Sequence, residues 1–272
     1  MNDNSKIELT IVIPNYNNAC YLHKCVESIA SQSYKGAYEV IIVDDCSNDD
    51  SIEVIKDIEH KYSFVHSILL ETNGQVSNAR NTGMNAAKGK KITFLDADDF
   101  YFDEDKIQRE MNVFSLSKRS SKKTIAFSKT VQVDINGKNP IYLKQFTRFI
   151  GLYYSLLFDL SSRFVMRDYI VDLEELKKCG GYNTCRNLFE DYELLIKLSR
   201  NHRFVYSGGL GTGYRNSNNG LSKRDIAILE SEKKKVIFEE IERRNVILKP
   251  LLYILYFVVF YSKKVLKRLI RR

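Results

Sequence analysis

Polar and acidic side chains follow three short apolar segments of the chain, at the point where each segment stops. Asn15-Tyr16-Asn17 follows the first segment, Asp44-Asp45 the second and Asp96-Ala97-Asp98-Asp99 the third. A D-x-D pair such as Asp96 and Asp98 suits a hard divalent cation, which in turn neutralises a diphosphate. An acidic turn in solvent would have the same sequence. The metal interpretation is strengthened by the position of the pair at a segment end and by the second acidic segment end at Asp44-Asp45.

A second acidic pair, Glu190-Asp191, opens a predicted helix. A carboxylate at this place could act as a general base that takes a proton from a hydroxyl group. Acidic residues are also common in the first turn of helices, because they cap free N–H groups and complement the helix dipole. The spacing alone favours capping, and the catalytic interpretation stays open at this point.

Apolar segments alternate with helical patterns in the first part of the chain. Residues 9–13, 38–43, 65–70 and 92–95 have the length and composition of buried strands. This alternation predicts an α/β fold with a mainly parallel, Rossmann-like central sheet flanked by helices. Ligands of such sheets bind beyond the carboxyl ends of the strands. The three polar segment ends are therefore expected to meet in one site.

The later part of the chain is less regular. Its patterns predict helices near residues 107–114, 173–179 and 191–200, and a hairpin that pairs 131–134 with 141–143. Residues 208–220 are rich in glycine and asparagine. We expect this stretch to form a flexible loop that could act as a lid.

The composition limits the classes of partner and compartment. The 272 residues carry a net charge of +8, which suits nucleotide phosphates or an acidic membrane surface. The chain lacks a motif that interleaves aromatic and basic residues, so we expect no nucleic-acid binding. The 5 cysteines are odd in number and form no C-x-x-C pair, and residues 1–7 lack a signal-peptide pattern. We expect a cytoplasmic protein with reduced thiols.

The C-terminal segment combines apolar and basic residues. Residues 251–261 are apolar and aromatic throughout, but the run is shorter than the roughly 20 residues that span a bilayer. Basic residues follow, at Lys263, Lys264, Lys267, Arg268, Arg271 and Arg272. Val265, Leu266, Leu269 and Ile270 interleave with these charges, which predicts a basic amphipathic helix on an anionic membrane surface. The alternative is a terminal helix that packs on the rest of the protein.

Four motifs, in order along the chain, resemble family 2 glycosyltransferases. They are TIVIPNYN at residues 10–17, IIVDDCSND at 41–49, NARNTG at 78–83 and FLDADD at 94–99. Each motif alone is weak, but four at this spacing are specific. Gly180-Gly181-Tyr182 followed by Glu190-Asp191 extends the resemblance to about residue 215. The Q-x-x-R-W motif of processive synthases is absent, and the chain contains no Trp.

The resemblance implies a GT-A fold and binding of a nucleotide sugar, with a uridine diphosphate sugar as the family's commonest donor. By the same resemblance, Pro14, Tyr16 and Asp45 hold the nucleotide base. Tyr16 stacks on the base and Asp45 accepts a hydrogen bond from it. Asp96 faces the ribose, and Arg80 lies near the nucleotide.

The resemblance also implies inverting transfer of a hexosyl or N-acetylhexosaminyl group to an acceptor hydroxyl. Asp98 binds the divalent cation, Mg2+ or Mn2+, and Asp191 is the base. Inversion by a single displacement requires no enzyme nucleophile, so one base and one charge-neutralising cation suffice. The sequence around Tyr214-Arg215 matches the family only in part.

The resemblance implies a nucleotide-sugar-binding half at residues 1–100 and an acceptor-binding half at 101–222, and the pattern of the remaining residues predicts a helical basic tail at 223–272. The expected acceptor is a glycan or a lipid-linked sugar of surface polysaccharide or lipopolysaccharide synthesis, reached from the inner face of the cell membrane. Two alternatives stay open. One is a sugar nucleotidyltransferase, although no glycine-rich loop follows the first strand. The other is a non-catalytic nucleotide-sugar-binding or scaffold protein.

Overall fold

A computed structural model describes residues 6–116, 123–142, 152–158, 168–216 and 225–270, and over 263–270 it describes the backbone alone. Four strands of the first part form a parallel sheet in the order β3-β2-β1-β4. They are β1 at Leu9–Asn15, β2 at Tyr38–Asp44, β3 at Val65–Leu69 and β4 at Lys91–Phe94. The helices between them are α1 at Ala19–Ala30, α2 at Ser51–Lys61 and α3 at Gln75–Ala86. The predicted parallel α/β sheet is confirmed.

The strands of this sheet are apolar because both faces are buried. Leu9, Ile11 and Ile13 of β1 point into one core, where Leu22 of α1 also lies, whereas Val12 belongs to the core on the opposite face. Side chains alternate across a strand, so the central strands of a sheet covered on both faces are apolar at most positions. The sheet therefore holds the ends of its strands at fixed positions.

The later part of the chain adds a strand to this sheet and builds a second one. Strand β8, Val171–Asp172, pairs antiparallel with β4. The second sheet has the order β5-β9-β6-β7, with β5 at Phe100–Tyr101, β6 at Lys123–Val133, β7 at Ile141–Tyr142 and β9 at His202–Arg215. Val131 opposes Tyr142, which confirms the predicted hairpin, although residue 143 lies outside the described part. The division at residues 100 and 222 stays a prediction.

The predicted loop at 208–220 is wrong over its first part, because β9 continues to Arg215. Gly208 and Gly209 adopt positive φ angles of 88° and 71°, and the pairing of β6 with β9 shifts register near them. Arg109 donates hydrogen bonds to the carbonyl oxygens of Gly208 and Leu210, at 3.0 and 2.9 Å. The glycines thus mark an irregularity inside a strand, not its end. Residues 217–224 lie outside the described part.

Six further helices complete the described structure. They are α4 at Lys106–Leu116, α5 at Leu152–Leu157, α6 at Leu173–Lys178, α7 at Glu190–Ser199, α8 at Ile226–Glu242 and α9 at Lys249–Ile270. Helices α8 and α9 form an antiparallel pair. Glu242 at the end of α8 contacts Lys249 and Tyr253, whereas Lys234, two turns earlier, lies over the ring of Phe257.

Helix α9 is apolar on two faces. Leu252 and Tyr256 are buried against α8, while Leu251, Ile254 and Val258 are exposed. Within the described residues, no helix is long and apolar enough to cross a membrane. The backbone is helical through residue 270, and the side chains predicted to form the basic amphipathic face lie outside the described part.

A charged group is sealed inside the core between α4 and the second sheet. Lys106 lies 2.9 Å from Glu110 and 2.7 Å from Asp168, and its ammonium is 4.5 Å from the centre of the Tyr101 ring. Thr212 of β9 donates a 2.6 Å hydrogen bond to Asp168. We call Lys106, Glu110 and Asp168 the sealed cluster. It ties α4 to β9 through charges that have no access to water.

Candidate active site

A cavity of about 720 Å3 lies beyond the carboxyl ends of β1, β2 and β4. Every residue that the sequence singled out for the site lines it: Pro14, Tyr16, Asp45, Arg80, Asp96, Asp98 and Asp191. Glu190, which the sequence paired with Asp191, also lines the cavity, and the sequence did not single out other lining residues, among them Asn73, Asn187, Leu188, Phe189 and Leu229. The cavity also extends to the first turns of α7 and α8, which no strand-end pattern could indicate.

The end of β1 presents an aromatic ring to the cavity. Pro14 is buried in the strand, and the Tyr16 side chain beyond it is 46% exposed. Asn15 instead turns toward β2, where its amide donates a 2.7 Å hydrogen bond to Asp44. Asp44 also accepts a 2.6 Å hydrogen bond from the Ser47 hydroxyl. Of the two acids at the end of β2, Asp44 therefore holds the strand ends together and Asp45 faces the cavity.

Asp45 is fixed by the turn at Asn73-Gly74. The Gly74 N–H donates to the Asp45 carboxylate at 2.8 Å, and the Asn73 side chain donates to the Asp45 carbonyl oxygen at 3.1 Å. Burial raises the pKa of Asp45 above its ordinary value, although the Gly74 hydrogen bond opposes the shift. A carboxylate in this setting is oriented and partly desolvated, which suits directional recognition of a hydrogen-bond donor.

The D-x-D turn after β4 is held from the side of β9. Asp96 and Asp98 are partly exposed on the cavity, while Asp99 is buried. The Arg215 backbone N–H donates to the Asp99 carboxylate at 2.9 Å, and the Arg215 guanidinium donates to the Asp98 carbonyl oxygen. The family-like Tyr214-Arg215 pair therefore ends a strand that runs next to the D-x-D turn.

Arg80 bridges two acids of the site. Its guanidinium donates to Asp96 at 2.6 Å and to Glu190 at 3.1 Å, and it lies 5.0 Å from the centre of the Tyr182 ring. We call Arg80, Asp96 and Glu190 the open cluster, because all three residues line the cavity. Burial, followed by the charge of Asp191, raises the pKa of Glu190 above its ordinary value. The open cluster connects the strand-end side of the cavity to the start of α7.

Helix α7 begins abruptly at the cavity. Phe189, the residue before it, has a φ of 62°, a left-handed conformation that is strained for a bulky side chain. Phe189 provides no side-chain cap, whereas Asp191 accepts a 2.6 Å hydrogen bond from the N–H of Tyr192. Asp191 is exposed, while Glu190 is held by Arg80. The geometry thus leaves Asp191 accessible from the cavity whether or not it also caps the helix.

The acids of the cavity fit a cation that is shared with a ligand. The described residues contain no group of three or more His, Cys, Asp or Glu side chains placed to hold a metal ion alone. Mg2+ and Mn2+ are commonly held by one or two carboxylates, with substrate phosphates and water completing the shell. Asp98, with Asp96 two residues before it, provides that partial set on the cavity wall.

Residues 10–169 match the sequence model of the family described as glycosyl transferase family 2. The chain belongs to glycosyl transferase family 2. An uncharacterized glycosyltransferase of Haemophilus influenzae is 41% identical over 104 residues, which cover 38% of this chain and 41% of that protein. Glycosyltransferase GlyA of Streptococcus pneumoniae is 38% identical over 96 residues, or 34% of this chain and 13% of that protein. The match therefore spans less than half the length of either relative.

Solved structures share the fold of this chain. The crystal structure of Staphylococcus aureus TarS 1-349 in complex with UDP-GlcNAc superposes with a TM-score of 0.70 at 18% identity, covering 94% of this chain and 73% of that one. The mannosyltransferase PcManGT of Pyrobaculum calidifontis, in complex with GDP-Man and Mn2+, gives a TM-score of 0.62 at 16% identity, covering 92% and 70%. The predicted GT-A fold and the family resemblance are confirmed, and the enzyme class is confirmed at the level of the family.

Proposed function

We propose that this chain transfers a sugar from a nucleoside diphosphate sugar to an acceptor hydroxyl, with inversion and with a divalent cation. The observation that carries the proposal is that one cavity is lined by Tyr16, Asp45, Asp98 and Asp191 together. These side chains offer an aromatic surface, a hydrogen-bond acceptor, a cation ligand and a base. No single one of them would distinguish a transferase from another nucleotide-binding protein.

The donor lies with its base against Tyr16 and its diphosphate beside the D-x-D turn. Tyr16 is exposed enough to stack on a base, and Asp45 is oriented by Gly74 to accept a hydrogen bond from it. The Arg80 bridge keeps Asp96 in place next to the ribose. A UDP-sugar is the favoured donor, because TarS of similar fold was solved with UDP-GlcNAc. A thermal-shift screen of nucleotide sugars with Mn2+ identifies the donor, since bound ligand stabilises by mass action.

Asp98 is the proposed protein ligand of Mg2+ or Mn2+, with Asp96 beside it. When bound, such a cation offsets the charge that develops on the leaving diphosphate. A mannosyltransferase of similar fold contains Mn2+. We expect Asp98→Ala to abolish the dependence of UDP binding on Mn2+.

Asp191 is the proposed general base. The acceptor oxygen attacks the anomeric carbon as its proton passes to the Asp191 carboxylate, and the bond between that carbon and the diphosphate oxygen breaks. The nucleoside diphosphate leaves with the bonding electron pair. Glu190, although adjacent, is hydrogen-bonded to Arg80 and is therefore not available as Asp191 is to take the acceptor's proton. The different surroundings of Glu190 and Asp191 support the proposal that Asp191 is the base.

The variant Asp191→Asn tests the proposal, because the amide is nearly isosteric but accepts no proton. We expect unchanged affinity for UDP with Mn2+ and a loss of UDP release from the donor of about 100- to 10,000-fold. Asp57→Asn is the matched control, since Asp57 is an exposed aspartate of α2 outside the cavity. Turnover of Asp191→Asn within a few-fold of wild type would return Asp191 to a capping role. Absence of turnover in the wild type with every donor would favour a binding or scaffold protein.

The acceptor is proposed to be a lipid-linked or glycan hydroxyl at the inner face of the cell membrane, in surface polysaccharide or lipopolysaccharide synthesis. Leu251, Ile254 and Val258 form an exposed apolar stripe on α9, and basic residues follow in the sequence. An apolar stripe beside clustered cations favours binding to an anionic lipid surface.

Flotation with phosphatidylglycerol vesicles tests this attachment in the full chain. We expect Ile254→Glu/Val258→Glu to float far less than the wild type, because both side chains are exposed and their replacement puts charge on the apolar stripe. Tyr142→Glu on β7 is the control, since it also charges an exposed apolar position. Equal flotation of the wild type and the double variant would contradict the membrane role of α9.

A further inference from the structure

We infer that Arg215 is a positioning residue that holds the D-x-D turn in the shape that binds the cation, without touching the donor itself. The inference rests on the proposed function, because it takes Asp98 as the cation ligand. It gives a role to Arg215, which the sequence left unassigned.

The backbone and the side chain of Arg215 both contact the D-x-D turn. Its backbone N–H donates to the Asp99 carboxylate at 2.9 Å, and its guanidinium donates to the carbonyl oxygen of Asp98. Within the turn, the Asp99 N–H donates to the Asp96 carbonyl oxygen at 2.9 Å. A single residue at the end of β9 thus contacts both the proposed ligand and the residue after it. Rotation of the Asp98 peptide unit would break the guanidinium contact.

The guanidinium lies in a site built for it. It is 4.9 Å from the ring centres of both Tyr21 and Phe100, and Arg215 is only 4% exposed. Glycines leave the room for this packing. A Cβ at Gly213 would come within 2.7 Å of the Phe100 ring, and one at Gly137 within 3.2 Å of the same ring. Arginine is suited to such a position because its flat cation stacks on rings while its N–H groups reach fixed acceptors.

Burial argues for positioning over direct contact with the diphosphate. Arg215 is absent from the described residues that line the cavity, whereas Asp98 lines it. The contact made by the guanidinium is to the Asp98 backbone, not to a group that faces the cavity. Groups of this kind, which orient a metal ligand from behind, typically change metal affinity about 10- to 100-fold when they are removed.

The variant Arg215→Met tests the inference, because it fills the space between the rings, removes the guanidinium hydrogen bond to the Asp98 carbonyl oxygen and keeps the backbone hydrogen bond to Asp99. We expect Mn2+ affinity in the presence of saturating UDP to fall about tenfold or more. UDP affinity measured by calorimetry in EDTA should stay within twofold of wild type. Arg215→Lys keeps the charge and should lose less Mn2+ affinity than Arg215→Met. It also provides a second folded protein if the methionine variant misfolds.

Arg109→Met is the matched control, since Arg109 also holds β9 through backbone carbonyl oxygens, but at Gly208 and Leu210. It should leave Mn2+ affinity unchanged. An equal loss in Arg109→Met would reduce Arg215 to general support of the strand. A loss of UDP affinity in EDTA for Arg215→Met would indicate direct contact with the nucleotide. Either result, or unchanged Mn2+ affinity in both Arg215 variants, overturns the inference.

The variant Asp98→Ala separates this inference from the proposed function. If Asp98→Ala loses Mn2+ binding and Arg215→Met keeps it, only the role of Arg215 fails. If the wild type binds no Mn2+ beside UDP, the proposed cation site fails, and the role of Arg215 with it.

Discussion

The open cluster and the sealed cluster share one plan, in which a buried cation lies between two carboxylates and over a tyrosine ring. They differ in access to water. The side chains of Asp96 and Glu190 in the open cluster are 34% and 14% exposed, whereas those of Glu110 and Asp168 in the sealed cluster are 0% and 3% exposed. The first borders the cavity, and the second lies between α4 and the second sheet.

Exposure decides what such a cluster can do. Water or a ligand can compensate a charge in the open cluster when one partner moves, so its hydrogen bonds are free to rearrange around a bound nucleotide. A charge in the sealed cluster has only its neighbours, and losing one of them leaves an uncompensated charge in a low-dielectric interior. We therefore assign similar chemistry to ligand binding in the open cluster, as part of the proposed function, and to the register of α4 against β9 in the sealed cluster.

The largest effect is expected from Lys106→Met. The substitution leaves the carboxylates of Glu110 and Asp168 buried with no cation, since Lys106 contacts both. We expect the free energy of unfolding to fall by about 3–5 kcal/mol, the range for breaking a buried ion pair from one side. Chemical denaturation measures it.

The double variant Lys106→Met/Glu110→Gln provides the control, because it also removes one of the stranded negative charges. It should be more stable than Lys106→Met alone. A loss below about 1 kcal/mol for Lys106→Met, typical of an exposed pair, would break the distinction between the clusters.

Arg80→Met should affect nucleotide affinity more and the free energy of unfolding less than Lys106→Met does. Water reaches Asp96 and Glu190, so we expect a smaller loss of about 1.5–3 kcal/mol in the free energy of unfolding. Affinity for UDP with Mn2+ should fall about tenfold, because Asp96 loses the partner that orients it. Denaturation and calorimetry measure the two quantities. Lys106→Met, assayed at low temperature where it stays folded, should keep the wild-type nucleotide affinity.

The opposite pair of results would contradict this distinction between the clusters. Wild-type UDP affinity in Arg80→Met, together with weakened UDP affinity in Lys106→Met, would mean that the core and not the cavity controls the nucleotide site.

The sequence predicted the open cluster in part, because Asp96, one of its two acids, lies in a motif. Asp96 follows a strand, and parallel strands bring their ends to one edge, so a local pattern was enough. Glu190 was paired in sequence with Asp191, and nothing local indicated that it would bind Arg80, 110 positions away. Tertiary contacts of this length leave no periodic signal in the chain.

The sealed cluster could not be predicted for the same reason. Lys106 and Glu110 are spaced i,i+4, which is typical of a solvent-exposed helical pair. Only the partner Asp168 and the sheet that covers them reveal the burial. Strand β9 was missed because Gly208 and Gly209 are typical of loops, whereas here they allow a register shift within the strand. Local propensity was overridden by pairing with β6.

The smallest effect, counted per pH unit, is a dependence of stability on pH. Burial, reinforced by Asp168 and opposed by Lys106, raises the pKa of Glu110 from an ordinary value of 4.5 to about 7. Between these values the folded protein keeps a proton that the unfolded chain has released, so stability falls as pH rises from about 4.5 to 7. The slope is at most about 1.4 kcal/mol per pH unit.

Denaturation across this range should show a shallower slope of stability against pH for Glu110→Gln. Glu190→Gln is the matched variant from the open cluster, and it should change the slope less, because Glu190 borders the cavity. An equal change in both variants would mean that access to water does not separate the two clusters.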